Sequence, residues 1–170
     1  LVAMWLRRPP PVEAPTRRYT VSFPADLSYF NFAGMEIAIS PDGSRFLYPG
    51  GPARDKSEFI LQERDQLAGR ILPGMTNAFS PVFSPDGRRI AFRDQRFGAL
   101  KVISLDGSTP TTLLDSLPGF LNGGLAWGGD GYIYAAGTKG TRGILFRIPE
   151  TGGAAEPVTE ADSTAGTVGH

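Results

Sequence analysis

Ser40-Pro41-Asp42-Gly43 and Ser84-Pro85-Asp86-Gly87 are the same four residues, and Gly128-Gly129-Asp130-Gly131 repeats their second half. The aspartates lie 44 residues apart, from 42 to 86 and from 86 to 130. The flanks repeat too. Ile37-Ala38-Ile39, Pro81-Val82-Phe83 and Leu125-Ala126-Trp127 precede the turns, and Arg45-Phe46-Leu47-Tyr48, Arg89-Ile90-Ala91-Phe92 and Tyr132-Ile133-Tyr134-Ala135 follow them. Such apolar runs on either side of a turn signal read as paired strands. Proline presets φ at the first central position, aspartate accepts local amide hydrogen bonds, and glycine takes the left-handed position that closes the hairpin. Pro41, Asp42, Gly43, Pro85, Asp86, Gly87, Asp130 and Gly131 are therefore read as structural turn residues. A metal-binding or acid–base role suits these aspartates poorly, because they stand one per unit. The third copy has Gly-Gly for Ser-Pro and reads as one residue shorter, which leaves its register open.

Two more strands complete each unit. The third is Phe59–Gln62, Leu100–Ile103 or Leu145–Ile148, and the fourth is Arg70–Leu72, Thr111–Leu113 or Glu156–Val158. Pro157 cannot donate to a ladder, so the fourth strand is expected at an edge. No segment carries a long helical period. Four strands in 44 residues match one blade of a β-propeller. The expected fold is all-β, a partial β-propeller of about three four-stranded antiparallel blades over 17–170. The blades fall near 35–74, 78–115 and 123–160, with the start of a further blade at 161–170. Propellers close with about four to eight blades, and each blade needs neighbours to bury its faces, so missing blades are required to close the ring.

Composition agrees. The 170 residues suit one domain. Gly (22) and Pro (15) serve many turns, and 11 Phe, 5 Tyr and 2 Trp serve strands. Lys plus Arg and Asp plus Glu are both 17, which argues against a nucleic-acid partner. With 41% hydrophobic and 20% charged residues the chain is too apolar for disorder. There is no Cys, which excludes disulfides, thiolate-ligated zinc and a cysteine nucleophile.

Residues 1–16 read differently. Leu1-Val2-Ala3-Met4-Trp5-Leu6 is apolar, Arg7-Arg8 follows, and four prolines stand between 9 and 15. Six residues cannot span a bilayer, which needs about 20. Apolar run, Trp, Arg pair and proline stretch come in the order expected at the end of a transmembrane segment that leads into a Pro-rich linker. A frayed terminus is the alternative.

Little catalytic chemistry is encoded. A kinase signature, a G-x-S-x-G elbow, a phosphate loop and a metal-ligand cluster are all missing from the sequence. The lone His170 is the last residue. Glu63 and Asp65 read as solvated turn and edge carboxylates, and Tyr29, Phe30 and Phe32 as packing beneath the first blade. No catalytic residue, metal or cofactor is expected.

The S-P-D-G turn between short strands, with Leu-Asp-Gly downstream at 105–107, resembles the TolB-like, WD-repeat-like propeller. The layout of truncated apolar segment, Arg-Arg-Pro-Pro-Pro, Arg17–Pro24 and then blades is similar to bacterial transmembrane serine/threonine protein kinases with an extracytoplasmic propeller. That resemblance implies a non-catalytic sensor domain that binds a protein or small-molecule ligand, with its parent membrane-anchored and its kinase domain elsewhere. A periplasmic TolB-type scaffold and the substrate-gating propeller of a prolyl-peptidase-like hydrolase are the alternatives.

Comparing the three units places the variable connections at the end opposite the turns. Arg54, Lys56, Arg96, Phe97, Phe120 and Lys139 stand there and are the expected binding residues, since a rigid scaffold with variable loops is the usual layout of a binding surface.

Overall fold

The structure, a computed structural model, describes residues 28–29, 37–51, 58–94, 98–117, 124–139 and 142–159. The linker at 1–16 and the blade start at 161–170 lie outside them. The described residues form β1 (Ser28–Tyr29), β2 (Ala38–Ile39), β3 (Arg45–Gly51), β4 (Glu58–Glu63), β5 (Arg70–Leu72), β6 (Ala78–Phe83), β7 (Arg89–Asp94), β8 (Leu100–Ser104), β9 (Thr111–Leu114), β10 (Leu125–Trp127), β11 (Tyr132–Lys139), β12 (Arg142–Pro149) and β13 (Glu156–Pro157). No helix among them is long and apolar enough to cross a membrane.

Three antiparallel sheets result. The second runs β6-β7-β8-β9 and the third β10-β11-β12-β13. The first runs β1-β3-β4-β5, and β2 also pairs with β3. In this sheet β2 pairs with Phe46 and Leu47, while β1 takes the far end of β3 at Gly50 and Gly51. The sequence marks four strands per unit and misses this fifth. As expected, Pro157 sits on an edge strand.

The sheets stack through two apolar seams. In the first, Leu47, Phe59 and Leu61 meet Phe83, Ile90, Phe92 and Ile103. In the second, Ala91, Leu100 and Val102 meet Trp127, Ile133, Phe146 and Ile148. Strand β7 serves both, because successive side chains leave a strand on opposite faces. That is why its middle is an unbroken apolar run, Ile90-Ala91-Phe92. Fully burying a side chain of this size contributes about 1.5–3 kcal/mol, so the seams hold the stack together. Strand β6 lies against both β2 and β10, which brings the first strands of the three sheets together.

Strand β6 also begins three residues before Pro81, at Ala78, with a bulge between Phe79 and Val82. Ser80 within it has φ +48°, uncommon for a residue with a side chain. The bulge absorbs Pro81, which has no N–H to give the ladder. The sequence reading begins this strand at Pro81, where the repeated flank begins.

The third unit is one residue short, and the structure fixes its register. Ile39 pairs with Phe46 and Phe83 with Ile90, each enclosing six residues, whereas Trp127 pairs with Ile133 and encloses five. Gly131 does two jobs. It takes a positive φ (+84°) as Gly43 and Gly87 do (+67° and +68°). Its carbonyl accepts from Glu150 N at 2.9 Å, as the next residues, Ser44 and Arg88, accept from Arg64 and Leu105.

Candidate binding cleft

The first two turns are built alike. Gly43 N donates to Ser40 O and Gly87 N to Ser84 O, both at 2.8 Å, closing each turn. The Ser40 hydroxyl donates to Asp42 Oδ1 and the Ser84 hydroxyl to Asp86 Oδ1, both at 2.6 Å. Each Oδ1 also accepts from the amide two residues on, Ser44 N or Arg88 N, at 3.0 Å. These donors hold both carboxyls below the usual carboxylate range, the serine hydroxyl having the largest effect. Pro41, Asp42 and Gly43, and likewise Pro85, Asp86 and Gly87, lie within these two turns.

The third turn solves the same problem with other atoms. Asp130 Oδ1 still accepts from Tyr132 N (3.3 Å), but the hydroxyl on its Oδ2 belongs to Tyr134 (2.6 Å). That bond lowers the Asp130 carboxyl and raises the Tyr134 phenol. A Cβ at Gly128, where the other copies have serine, would stand 2.3 Å from Asp130 Oδ1. The tyrosine and the glycine are thus linked substitutions.

The seams beneath the turns differ accordingly. At the first seam the turns come close, since an ideal Cβ on Gly87 would lie 3.8 Å from the Pro41 ring and 4.0 Å from Ser40 Cβ. Arg45 crosses this seam, its Nη1 donating to Gly87 O (3.2 Å) and its Nε to Glu63 (3.0 Å). At the second seam the equivalent Arg89 is diverted. Its Nη2 lies 3.3 Å from Glu150 Oε2, and its guanidinium lies 4.9 Å from the centre of the Trp127 ring. Trp127 Nε1 donates to the same Glu150 oxygen (2.9 Å). A cleft of about 250 Å³ lies beside it. Pro85, Asp86 and Arg89 line one side, and Gly128, Gly129, Gly131 and Glu150 the other. Asp86 Oδ2 and Glu150 Oε1 receive no hydrogen bond among the described residues.

The cleft lies at the turn end, opposite the end the sequence favours for binding. Arg54, Lys56, Arg96, Phe97 and Phe120 lie outside the described residues, and of Lys139 only the backbone is described, paired with Arg142 at the end of the β11–β12 ladder. Glu63, at the end of β4, pairs with Arg45 at 3.0 Å. Among the described residues no group of three or more His, Cys, Asp or Glu is arranged to hold a metal ion. Sequence reasoning missed Arg89, Trp127 and Glu150. Comparing copies marks Glu150, because Leu105 holds that place in the preceding unit.

Solved structures share this stack. The putative TolB of Agrobacterium tumefaciens matches with a TM-score of 0.58 and 22% identity, over 71% of this chain and 47% of that one. The β-propeller domain of the trilobed protease from Pyrococcus furiosus matches at 0.54 and 20%, over 81% and 43%. The fold is a partial β-propeller. The three sheets are its blades, as the 44-residue period predicts. A prolyl endopeptidase also matches, at 0.54 and 17%, over 74% of this chain and 21% of that one. The chain spans less than half the length of each of these proteins. No protein-family model and no curated protein matches it.

Proposed function

We propose that this arc is a non-catalytic ligand- or protein-binding propeller, the extracytoplasmic sensor domain of a bacterial membrane-anchored serine/threonine protein kinase. The observation that carries the binding reading is the scaffold. Blades locked by apolar seams hold connections of unequal length, the arrangement on which recognition loops are usually mounted. Arg54, Lys56, Arg96, Phe97, Phe120 and Lys139 supply the partner contacts in this reading. Kinase parentage and the extracytoplasmic location rest on the order of segments at 1–24.

Further blades complete the ring. Ile39 is 57% exposed, whereas Phe83 and Trp127 at the same place in their blades are 4% and 8% exposed. At the other end Leu145 and Val158 are exposed. Both open sides are suited to another blade. The likeness to a prolyl endopeptidase and to a protease propeller favours a second reading, a substrate-gating propeller, and the likeness to TolB a third, a scaffold.

Reading the gene on both sides of this stretch decides among them. A kinase domain upstream supports the sensor reading, and a G-x-S-x-G hydrolase domain downstream overturns it. The purified chain is expected to turn over neither ATP nor peptides. Turnover abolished by a point substitution within these 170 residues would refute the non-catalytic reading.

A further inference from the structure

Four aspartates of this chain are followed by glycine, and the structure treats one of them differently. The pairs are Asp42-Gly43, Asp86-Gly87, Asp106-Gly107 and Asp130-Gly131, each at a turn. Glycine has no side chain to shield its amide nitrogen, so at such a pair this nitrogen can close on the carboxyl carbon of the aspartate. Closure needs an N–H that is not tied up in a hydrogen bond and a turn that can open. In three pairs the N–H is tied up. Gly43 N donates to Ser40 O and Gly87 N to Ser84 O at 2.8 Å, and Gly107 N to Ser104 O at 3.2 Å. Gly131 N donates to no acceptor among the described residues. The shortened hairpin keeps the outer bond, Gly128 N to Tyr132 O at 2.9 Å, whose counterparts are Ser40 N to Arg45 O and Ser84 N to Arg89 O, and loses the inner one.

This turn is also the least braced. Pro41 and Pro85 fix φ before the first two aspartates, whereas the freely rotating Gly129 precedes Asp130. Tyr132 N holds Asp130 Oδ1 at 3.3 Å, against 3.0 Å for the matching amides at Asp42 and Asp86 and 2.9 Å at Asp106. Tyr134 still holds Oδ2, at 2.6 Å, so the difference lies in the backbone.

We propose that Asp130 is a site of spontaneous backbone modification, isomerising through a cyclic imide to isoaspartate ahead of Asp42, Asp86 and Asp106. Gly131 N attacks Cγ of the protonated carboxyl. The N–Cγ bond forms, a Cγ–Oδ bond breaks, and the oxygen leaves as water with the carboxyl and amide protons. Water then opens the ring. Attack at Cγ restores aspartate. Attack at the main-chain carbonyl carbon leaves Gly131 N bonded to Cγ, so the chain runs through the former side chain and the carboxylate stands on Cα. The water lost in the first step is regained in the second, and nothing is oxidised or reduced. The product has one more backbone atom in the hairpin and displaces Gly131 O, the acceptor of Glu150 N. The site goes beyond the binding reading above and needs none of its residues.

The test incubates the full 170-residue chain in heavy-oxygen water and maps its peptides, reading isoaspartate and incorporated oxygen at all four sites. The same incubation in urea, with the chain unfolded, is the control. In the folded chain Asp130 is expected to convert at least about fivefold faster than Asp42 or Asp86, the factor that one ordinary hydrogen bond makes in an opening equilibrium. In urea the four rates should converge. Gly129→Pro restores the proline of the first two turns and should slow Asp130 alone. Asp42 or Asp86 converting as fast as Asp130 in the folded chain, a lead of Asp130 just as large in urea, or undiminished conversion in a folded Gly129→Pro chain overturns the proposal. The folded-against-unfolded comparison on the unaltered chain decides by itself should that variant misfold.

Discussion

Arg45 Nη1 and Gly87 O belong to different blades and are hydrogen-bonded at 3.2 Å, while Nε of the same arginine holds Glu63 of its own blade at 3.0 Å. One side chain thus joins a turn to the blade before it. Arg45→Met keeps the aliphatic stem and removes both contacts. The pair is about one-third exposed, so the expected loss is small, about 1 kcal/mol. Part of it should vanish at high salt. Urea unfolding at two ionic strengths reads both, and a variant as stable as the parent at low salt would show that the bridge contributes nothing.

Gly87 has φ +68°. A β-branched residue there is strained by about 1–3 kcal/mol, so Gly87→Val should be clearly destabilised in urea. Asp86→Ala loses local hydrogen bonds on an exposed turn and should cost about 1 kcal/mol. Equal, negligible losses would contradict the turn geometry.

Ile103 is buried in the first seam and Val158 is 46% exposed at the open side of the third blade. Ile103→Ala should cost about 2–5 kcal/mol. Val158→Ala should stay within about 0.5 kcal/mol. Thermal melts of the two side by side test the stacking order, and a reversed ranking would be incompatible with it.

Asp42, Asp86, Asp106 and Asp130 all have carboxyls lowered by hydrogen bonds from nearby hydroxyls or amides. A carboxyl lowered in the folded state stabilises it above the unfolded value, near about 3.9. That contribution fades as pH falls toward the folded value. The chain should therefore lose stability on acidification below about pH 4. Replacing Asp86 and Asp130 with Asn should flatten the decline. Tyr134, raised first by its hydrogen bond to Asp130, acts in the opposite sense. Its contribution is present below about pH 10 and is lost as pH rises through the folded value, and Tyr134→Phe should remove that alkaline limb. Urea midpoints across pH provide the measurement, and curves identical to the parent's would count against these bonds.

Alanine at Arg96, Phe97 and Phe120 together is expected to weaken partner capture by the full-length protein while the melting curve hardly moves. Substitution of Gly43 or Gly87 should do the reverse. Undiminished capture by the triple variant would remove the loop surface from consideration.

The 44-residue period and its turns were legible because they are local: proline, aspartate and glycine act within four residues, and apolar runs flank them. Strand β1 was not, since Ser28-Tyr29 carries no repeat signal and finds Gly50 and Gly51 only in space. Nor was the reach of β6, because the repeated flank covers only Pro81-Val82-Phe83 and the bulge at Ser80 that carries the strand back to Ala78 has no counterpart among the described residues of the other units. The cleft was the least visible. It depends on Arg89 meeting Glu150, 61 residues away, and on a residue missing after Asp130. Sequence comparison of the units exposes the loss but not the space that it opens.

That missing residue bears on any attempt to shuffle these units. The inner strands keep the 44-residue spacing, Phe83 to Trp127. From Ile90 to its counterpart Ile133 the spacing is 43, and from Ile103 to Ile148 it is 45. A chimera cut at a uniform 44 would put Tyr134 in the place of Ile90 and Arg147 in the place of Ile103. One residue is enough to turn a strand over, so both polar side chains would be driven into an apolar seam. Modules exchanged by strand register would keep Ile133 and Ile148 inside. The exchangeable part of this protein is a pairing pattern and not a length of chain.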